Sequence, residues 1–334
     1  NLLRPGPVFD TGAQWGSATR LGSFLNMGPL SQYPVNPKDV IALFGASRNT
    51  TLSVLGQESG HRFLAYPRYR NPLTGLPSLD LLGRQQAHWS FFFNSDASVL
   101  EGNRIQDLGE GRSPRFITTA TVERYNAFDQ YLMGLRAASD TPPSFLVRSP
   151  STFFSPGSEP QAGISFDGAR QDVTVQMIID AEGRRSPDST VAQKHFQFAV
   201  LLLVREGTQP TAAELARMET LRLEWEQYFA AAVENRATAA TALVKLLRLS
   251  TWPAGGILRG TPGTATVTVA AAPRSDLTAL LSAGAEITVP ASVVIPAGRT
   301  SASFQIMGNR PGVAELTARA SDPAYEVSRT LVQV

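Results

Sequence analysis

The segment from Leu55 to Phe63 contains the residues with the clearest chemical potential. It reads Leu-Gly-Gln-Glu-Ser-Gly-His-Arg-Phe, so Gln57 and His61 are four positions apart, with Glu58 beside Gln57. Residues at this spacing lie one turn apart on the same face of a helix. In the zinc-protease motif His-Glu-x-x-His, two such imidazoles hold the metal and the glutamate is the general base. Here a glutamine replaces the first histidine. The pattern indicates either a degenerate zinc site or an ordinary helix with a single histidine.

Composition narrows the other possible chemistries. The chain has no cysteine, which excludes disulfides, thiolate metal sites and cysteine nucleophiles. Its three histidines, His61, His88 and His195, limit any imidazole site to three ligands, and we assign His195 to packing. Basic and acidic residues number 30 and 28 without a basic block, so nucleic acid is not an expected partner. The longest apolar run, Phe198–Val204, has seven residues against the ~20 that span a bilayer. We predict that it is core and that the chain has no membrane span.

Helices and irregular loops are predicted to position these residues. Asn49-Thr50-Thr51 offers a helix N-cap, and the helix that follows is predicted over Leu52–Tyr66, before Pro67. Residues 68–135 mix aromatics with Gly and Asn and favour irregular, site-building structure. Further helices are predicted over 194–205 and 237–249, and another is predicted to begin at the capping box Thr211-Ala-Ala-Glu214. A strand is predicted over 172–179.

The composition changes after Trp252-Pro253. Short alternating segments with Pro/Gly turns between them predict strands over 264–269, 301–306, 313–318 and 330–334. Strands at about ten-residue spacing are typical of a small β-sandwich. We therefore predict two domains, residues 1–251 and 252–334.

Several separated blocks resemble a family of secreted bacterial metallopeptidase-like proteins. Members of that family have His-Glu-x-Gly-His-Arg-Trp on the helix and, later, Leu-Asp-Leu-Tyr-Leu-Met-Gly-Leu. Besides the helix segment, the similar blocks in this chain are residues 16–18, 20–21, 26–28, 32–34, 87–92, 98–103 and 129–135. The resemblance covers about residues 10–250. It implies an α+β fold, with a zincin-like domain ahead of the C-terminal β-sandwich.

The resemblance also implies roles for single residues. Glu58 matches the general base, His61 the second helix ligand and Gln57 the first ligand position, with zinc as the cofactor. Asp129 is a candidate third ligand and His88 is its rival. The structural alternatives are a cap or salt-bridge role for Asp129 and a hydrogen-bonded core position for His88. Zinc and Glu58 would together activate a water molecule for hydrolysis.

The C-terminal segment 286–304 resembles bacterial immunoglobulin-like or Calx-β-like repeats, which are extracellular spacers or adhesion modules. The leading hypothesis is a secreted metal-dependent peptidase or related hydrolase that acts on a protein or peptide. Its alternative is a catalytically inactive pseudoenzyme with an extracellular binding or structural role at the surface. In that role, the immunoglobulin-like domain would contact a glycan or a protein. A purely structural component of a surface assembly is the third hypothesis.

Overall fold

Thr50 caps the helix that carries Gln57 and Glu58 and ends just before His61. In the computed structural model of the chain, which describes residues 22–63 and 67–334, α1 spans Thr51–Gly60. Thr50 Oγ1 accepts a hydrogen bond from Ser53 N at 3.1 Å, and Ser53 Oγ accepts one from Thr50 N at 2.9 Å. This reciprocal cap satisfies two donors of the helix end. The predicted start of the helix is confirmed, but the helix ends earlier than expected; residues 64–66 of the prediction lie outside the described residues.

In the described part of the first unit, which ends at Thr241, short strands and three further α-helices are joined by long irregular segments. The helices are α2 (Ala127–Leu132), α3 (Val175–Glu182) and α4 (Ala212–Ala232). The strands are β1 (Tyr69–Arg70), β2 (Pro77–Ser78), β3 (Asn103–Asp107), β4 (Phe116–Thr121), β5 (Ser144–Arg148), β6 (Ser165–Phe166), β7 (Ala169–Val173), β8 (His195–Gln197) and β9 (Thr238–Ala240). They form four small sheets in the orders β1-β2, β3-β4-β6, β5-β7 and β8-β9. β8 and β9 are parallel, and the other three sheets are antiparallel.

The predicted α+β fold class with a zincin-like domain is wrong. The described residues form seventeen strands and four α-helices, so strands dominate. Two segments expected to be helical are not: 194–205 begins with β8, and 237–249 contains β9. Phe198 N bonds to Ala240 O at 2.8 Å and extends the β8–β9 pairing. This pairing joins segments more than forty residues apart, and such long-range contacts override local helix preference.

The apolar run Phe198–Val204 is partly exposed, which contradicts its prediction as core. Phe198 packs against Trp225 with ring centroids 5.3 Å apart. Leu201 and Leu203 are 71% and 86% exposed. The run has no regular secondary structure, and half-buried residues alternate with exposed ones from Phe198 to Leu203, so part of it remains in solvent. No helix in the described residues is both long and apolar enough to cross a bilayer.

The second unit, Ala242–Val334, consists of two four-stranded antiparallel sheets. Its strands are β10 (Leu247–Trp252), β11 (Pro262–Val269), β12 (Leu277–Ala283), β13 (Ile287–Thr288), β14 (Ser292–Ile295), β15 (Ser301–Gly308), β16 (Val313–Ala320) and β17 (Ser328–Gln333). The orders are β10-β11-β15-β13 and β14-β12-β16-β17. Inward side chains of both sheets, such as Val267 and Leu316, share one core. The four strands predicted from the sequence are confirmed, and the unit begins ten residues before the predicted boundary.

Candidate functional site

Four of the five predicted site residues meet at one cavity of about 430 Å³. The residues that line it are Gln57, Glu58, His61, Arg84, Gln85, Ala87 and His88. Gln57 and His88 are both buried, at 8% and 4% exposure. Asp129 is not among the lining residues. The structure therefore brings the α1 residues together with His88 and leaves the predicted carboxylate elsewhere.

Two glycines allow α1 to pack closely against its neighbours. A Cβ on Gly56 would lie 3.1 Å from Tyr228 Cε1 on α4, and one on Gly60 would lie 3.0 Å from Tyr125 Cε1. Tyr125 also donates its hydroxyl hydrogen to Gly56 O. At the end of α1, His61 N bonds to Gln57 O at 3.1 Å. These contacts fix the helix that carries Gln57 and Glu58 and that is followed by His61 at its C-cap.

A tight loop brings His88 to the same cavity. Gly83 N bonds to His88 O at 2.8 Å and closes the loop between them. Arg84, inside this loop, forms an ion pair with Glu101, with Nε 2.9 Å from Oε2. The hydrogen bond to Glu101 raises the pKa of Arg84. The ion pair and the closed loop together anchor the backbone that carries His88.

Gly83→Ala is expected to lower the free energy of unfolding by about 1–3 kcal/mol, because overpacking forces the backbone to move. A Cβ at this position would lie 2.4 Å from Pro156 O and 2.7 Å from Trp89 O. Urea denaturation measures the loss. Gly157→Ala is the matched control, because its Cβ would meet nothing closer than 3.7 Å. Equal stabilities for Gly83→Ala and the control would contradict the tight fit at Gly83.

The hydrogen bonds of His88 define its tautomer. Its Nδ1 lies 2.9 Å from Arg84 O, and a carbonyl can only accept, so Nδ1 donates. The lone pair of the neutral ring is then on Nε2, which lies 3.0 Å from Gln57 Nε2. We assign these roles from the bonding partners. The Gln57 amide therefore donates to the imidazole nitrogen that would otherwise face a metal.

The residues present do not fit a catalytic zinc ion. Such a site uses three protein ligands, and the two imidazoles here, His61 and His88, have ring centroids 5.0 Å apart. The third nitrogen near them belongs to the Gln57 amide, which is a hydrogen-bond donor and not a ligand. Among residues 22–63 and 67–334, no group of three or more His, Asp or Glu side chains could hold a metal ion.

Asp129 lies in a buried hydrogen-bond network of its own. It is fully buried at the third position of α2, where Asn126 caps the helix. Trp89 Nε1 donates to Oδ1 at 2.8 Å, and Ser98 Oγ and Asn126 N donate to Oδ2 at 2.5 and 2.8 Å. Burial raises the pKa of Asp129 to about 7, although these hydrogen bonds oppose the shift. The carboxylate caps a helix and anchors the residue that follows His88.

Tyr33 is a further neighbour of the site, and its position near Glu58 was not predicted from the sequence. Burial and the nearby Glu58 carboxylate raise its pKa. Its hydroxyl donates to Met27 O at 2.6 Å. Arg217 on α4 contacts the carbonyl oxygens of Tyr33 and Pro34, the second at 3.0 Å. Two of the blocks that carry the family resemblance, 26–28 and 32–34, are thus linked to this region.

Arg84 and Gln85 line the cavity but were not predicted. Gln85 has a φ of 56°, a left-handed conformation that is uncommon for a residue other than glycine. Nothing in the sequence Gly-Arg-Gln-Gln-Ala-His indicates this turn, because glutamine does not favour it. Blocks 16–18 and 20–21 of the resemblance lie outside the described residues.

Comparisons with known proteins assign no family. No family model and no curated protein matches the chain. Among solved structures, a two-domain protein of unknown function from Bacteroides fragilis is 9% identical, with 27% of this chain and 45% of that one covered and a TM-score of 0.23. A glycosyl hydrolase family 2 member from Bacteroides cellulosilyticus is 14% identical, with 29% and 15% covered and a TM-score of 0.21. The reeler domain of human F-spondin is 13% identical, with 26% and 87% covered and a TM-score of 0.20.

The chain spans less than half the length of the first two of these structures. Similarity at this level supports neither a fold nor a function for this protein.

Proposed function

We propose that this protein is a catalytically inactive, metallopeptidase-like protein that acts outside the cell as a binding or structural surface protein. The observation that carries the proposal is the 3.0 Å contact between Gln57 Nε2 and His88 Nε2. An amide hydrogen takes the lone pair that a metal would need, so the motif lacks both a ligand and a free ligand position. Glu58 then has no metal-bound water to activate.

The position of Asp129 supports the same proposal. A carboxylate from a later segment would have to complete the site, but Asp129 already accepts hydrogen bonds from three donors. Breaking them would leave buried donors unsatisfied, at about 1–3 kcal/mol each. This network is therefore a stable alternative to metal ligation.

The extracellular role follows from the resemblance to secreted bacterial proteins. Segment 286–304 resembles bacterial repeats that serve as extracellular spacers or adhesion modules. We assign the contact with an extracellular glycan or protein to this second unit. The cavity at Gln57 is a candidate site for a protein or peptide segment that is bound and not cleaved.

Metal analysis and a protease assay on the whole chain test the proposal. We expect far less than one zinc per chain after purification without chelators, and no cleavage of casein beyond that of Glu58→Gln. The variant is the matched control, because it removes the candidate base while keeping the side-chain size. One zinc per chain, together with cleavage that Glu58→Gln abolishes, would overturn the proposal and favour the peptidase hypothesis.

A further inference from the structure

The outer face of the β10-β11-β15 part of one sheet carries an exposed tryptophan. Trp252 is 73% exposed, whereas Trp89 and Trp225 are 3% and 0% exposed. Large aromatic side chains gain free energy on burial, and exposed ones are enriched where a protein binds a partner. Trp252 ends β10, and its neighbours across the sheet are known from the strand register. They define the chemistry of the surface around it.

Three rows of side chains cross this face. Trp252 lies opposite Thr264, which lies opposite Gln305. The next row contains Ser250, Thr266 and Ser303, and the third contains Arg248, Thr268 and Ser301. All nine are exposed or half-buried, while the alternate positions, such as Ala265 and Phe304, point into the core. The face is therefore a surface of hydroxyl and amide groups, about 10 Å wide across three strands, with an indole at one end.

The charge of this face argues against a nucleic-acid partner, and the position of Trp252 argues against a protein partner. The three rows contain one basic residue, Arg248, and no acidic residue. A nucleic acid needs several Lys or Arg contacts to its phosphates. A protein hot spot places an aromatic residue in a desolvated centre ringed by other contacts. Trp252 instead lies on the edge strand β10, beside hydroxyl groups.

The combination of groups matches a neutral sugar. A pyranose ring has an apolar face of C–H groups and an edge of hydroxyl groups. The indole of Trp252 offers a flat apolar surface to the C–H face of the sugar. The next row along the strands adds the apolar side chains of Pro262 and Met307, and Met307 is 38% exposed. Thr264 and Gln305 offer hydrogen-bond donors and acceptors to the hydroxyl groups at the edge of the sugar.

We propose that the outer face of β10, β11 and β15 binds a neutral polysaccharide, with a sugar ring stacked on Trp252 and its hydroxyl groups bonded to Thr264 and Gln305. The inference deepens the proposed binding role of the second unit and rests on that role. It uses no residue of the Gln57 cavity.

Affinity electrophoresis of the full chain tests this inference. Native gels would contain mixed-linkage β-glucan, xylan or galactomannan, with heparin as a polyanionic comparison. We expect retardation in at least one of the neutral gels. Trp252→Ala should weaken the retardation constant at least about tenfold, because stacking on the indole is lost. Gln305→Ala should weaken it less, and Trp252→Phe should retain part of it.

Leu258→Ala is the matched control. Leu258 is 76% exposed in the same unit but lies outside the three strands, so its loss should leave retardation unchanged. Circular dichroism melts establish that each variant folds. Absence of retardation in every neutral gel, retardation only with heparin, or an unchanged constant in Trp252→Ala would each overturn the inference. None of these results alters the zinc content or casein cleavage, so a failure here is distinguishable from a failure of the proposed inactive site.

Discussion

Gln57→His is expected to raise the zinc affinity of this protein roughly 100- to 1,000-fold. Structural zinc in small peptides binds with about 10–16 kcal/mol over four ligands, or roughly 2.5–4 kcal/mol for each ligand. A tenfold change in affinity corresponds to about 1.4 kcal/mol. The substitution adds one imidazole beside His61 and His88, and it removes the amide hydrogen that Gln57 donates to His88 Nε2.

The separation of the nitrogen atoms supports this expectation. Zinc–nitrogen bonds of about 2.0–2.1 Å in a tetrahedral site put two ligand nitrogens about 3.3 Å apart. Gln57 Nε2 and His88 Nε2 are 3.0 Å apart, which is close to this spacing, so the side chains at positions 57 and 88 already approach each other at the distance that a shared metal requires. A hydrogen bond now occupies the space between them.

Competition with a chromophoric chelator measures the zinc affinity of the natural chain and the variant. Gln57→Leu is the control, because it removes the amide without adding a ligand and should bind no more zinc than the natural chain. If Gln57→His also binds no more tightly, the three positions do not form a metal-site framework. Casein cleavage that appears in Gln57→His and disappears on adding Glu58→Gln would further support the proposal that Gln57 prevents metal-dependent hydrolysis in the natural chain.

Asp129 should make the protein less stable as the pH rises from about 4 to about 7. Its pKa in the folded protein is raised to about 7 by burial, above the ordinary value of 3.8. The folded state therefore holds the proton more tightly than the unfolded state. The stabilisation is complete below about pH 4 and is lost as the pH rises through 7. Three pKa units correspond to about 4 kcal/mol of unfolding free energy.

Urea denaturation of the natural chain and Asp129→Asn between pH 4 and 9 measures this effect. The amide cannot titrate, so the difference in unfolding free energy should change by about 4 kcal/mol up to pH 7 and then level off. Asp188 is a contrasting position, because hydrogen bonds from Thr190 lower its pKa. Its stabilisation should instead be lost as the pH falls. A difference between the natural chain and Asp129→Asn that is independent of pH would contradict the assignment for Asp129.

Local sequence signals predicted the parts of the fold that depend on neighbouring residues. The caps at Thr50 and Thr211 depend on residues three positions away, and both are present. The strands of the second unit follow from alternation and turn residues, and the four predicted ones are present. The segments 194–205 and 237–249 were predicted as helices because their apolar content does not distinguish a helix from a strand. Their pairing partners lie far away in the chain, so the local pattern could not identify them.

The sequence by itself determined which groups were available for chemistry. With no cysteine and three histidines, any strong site had to use imidazole or carboxylate, and spacing placed Gln57, Glu58 and His61 on one helix. Only the tertiary structure decided which later residue joins them. The Gly83–His88 loop brings His88 to Gln57, while the Trp89 and Ser98 hydrogen bonds hold Asp129 in a network of its own. The reason is physical: spacing along a helix is set by its 3.6-residue turn, but the approach of distant loops depends on packing and long-range hydrogen bonds.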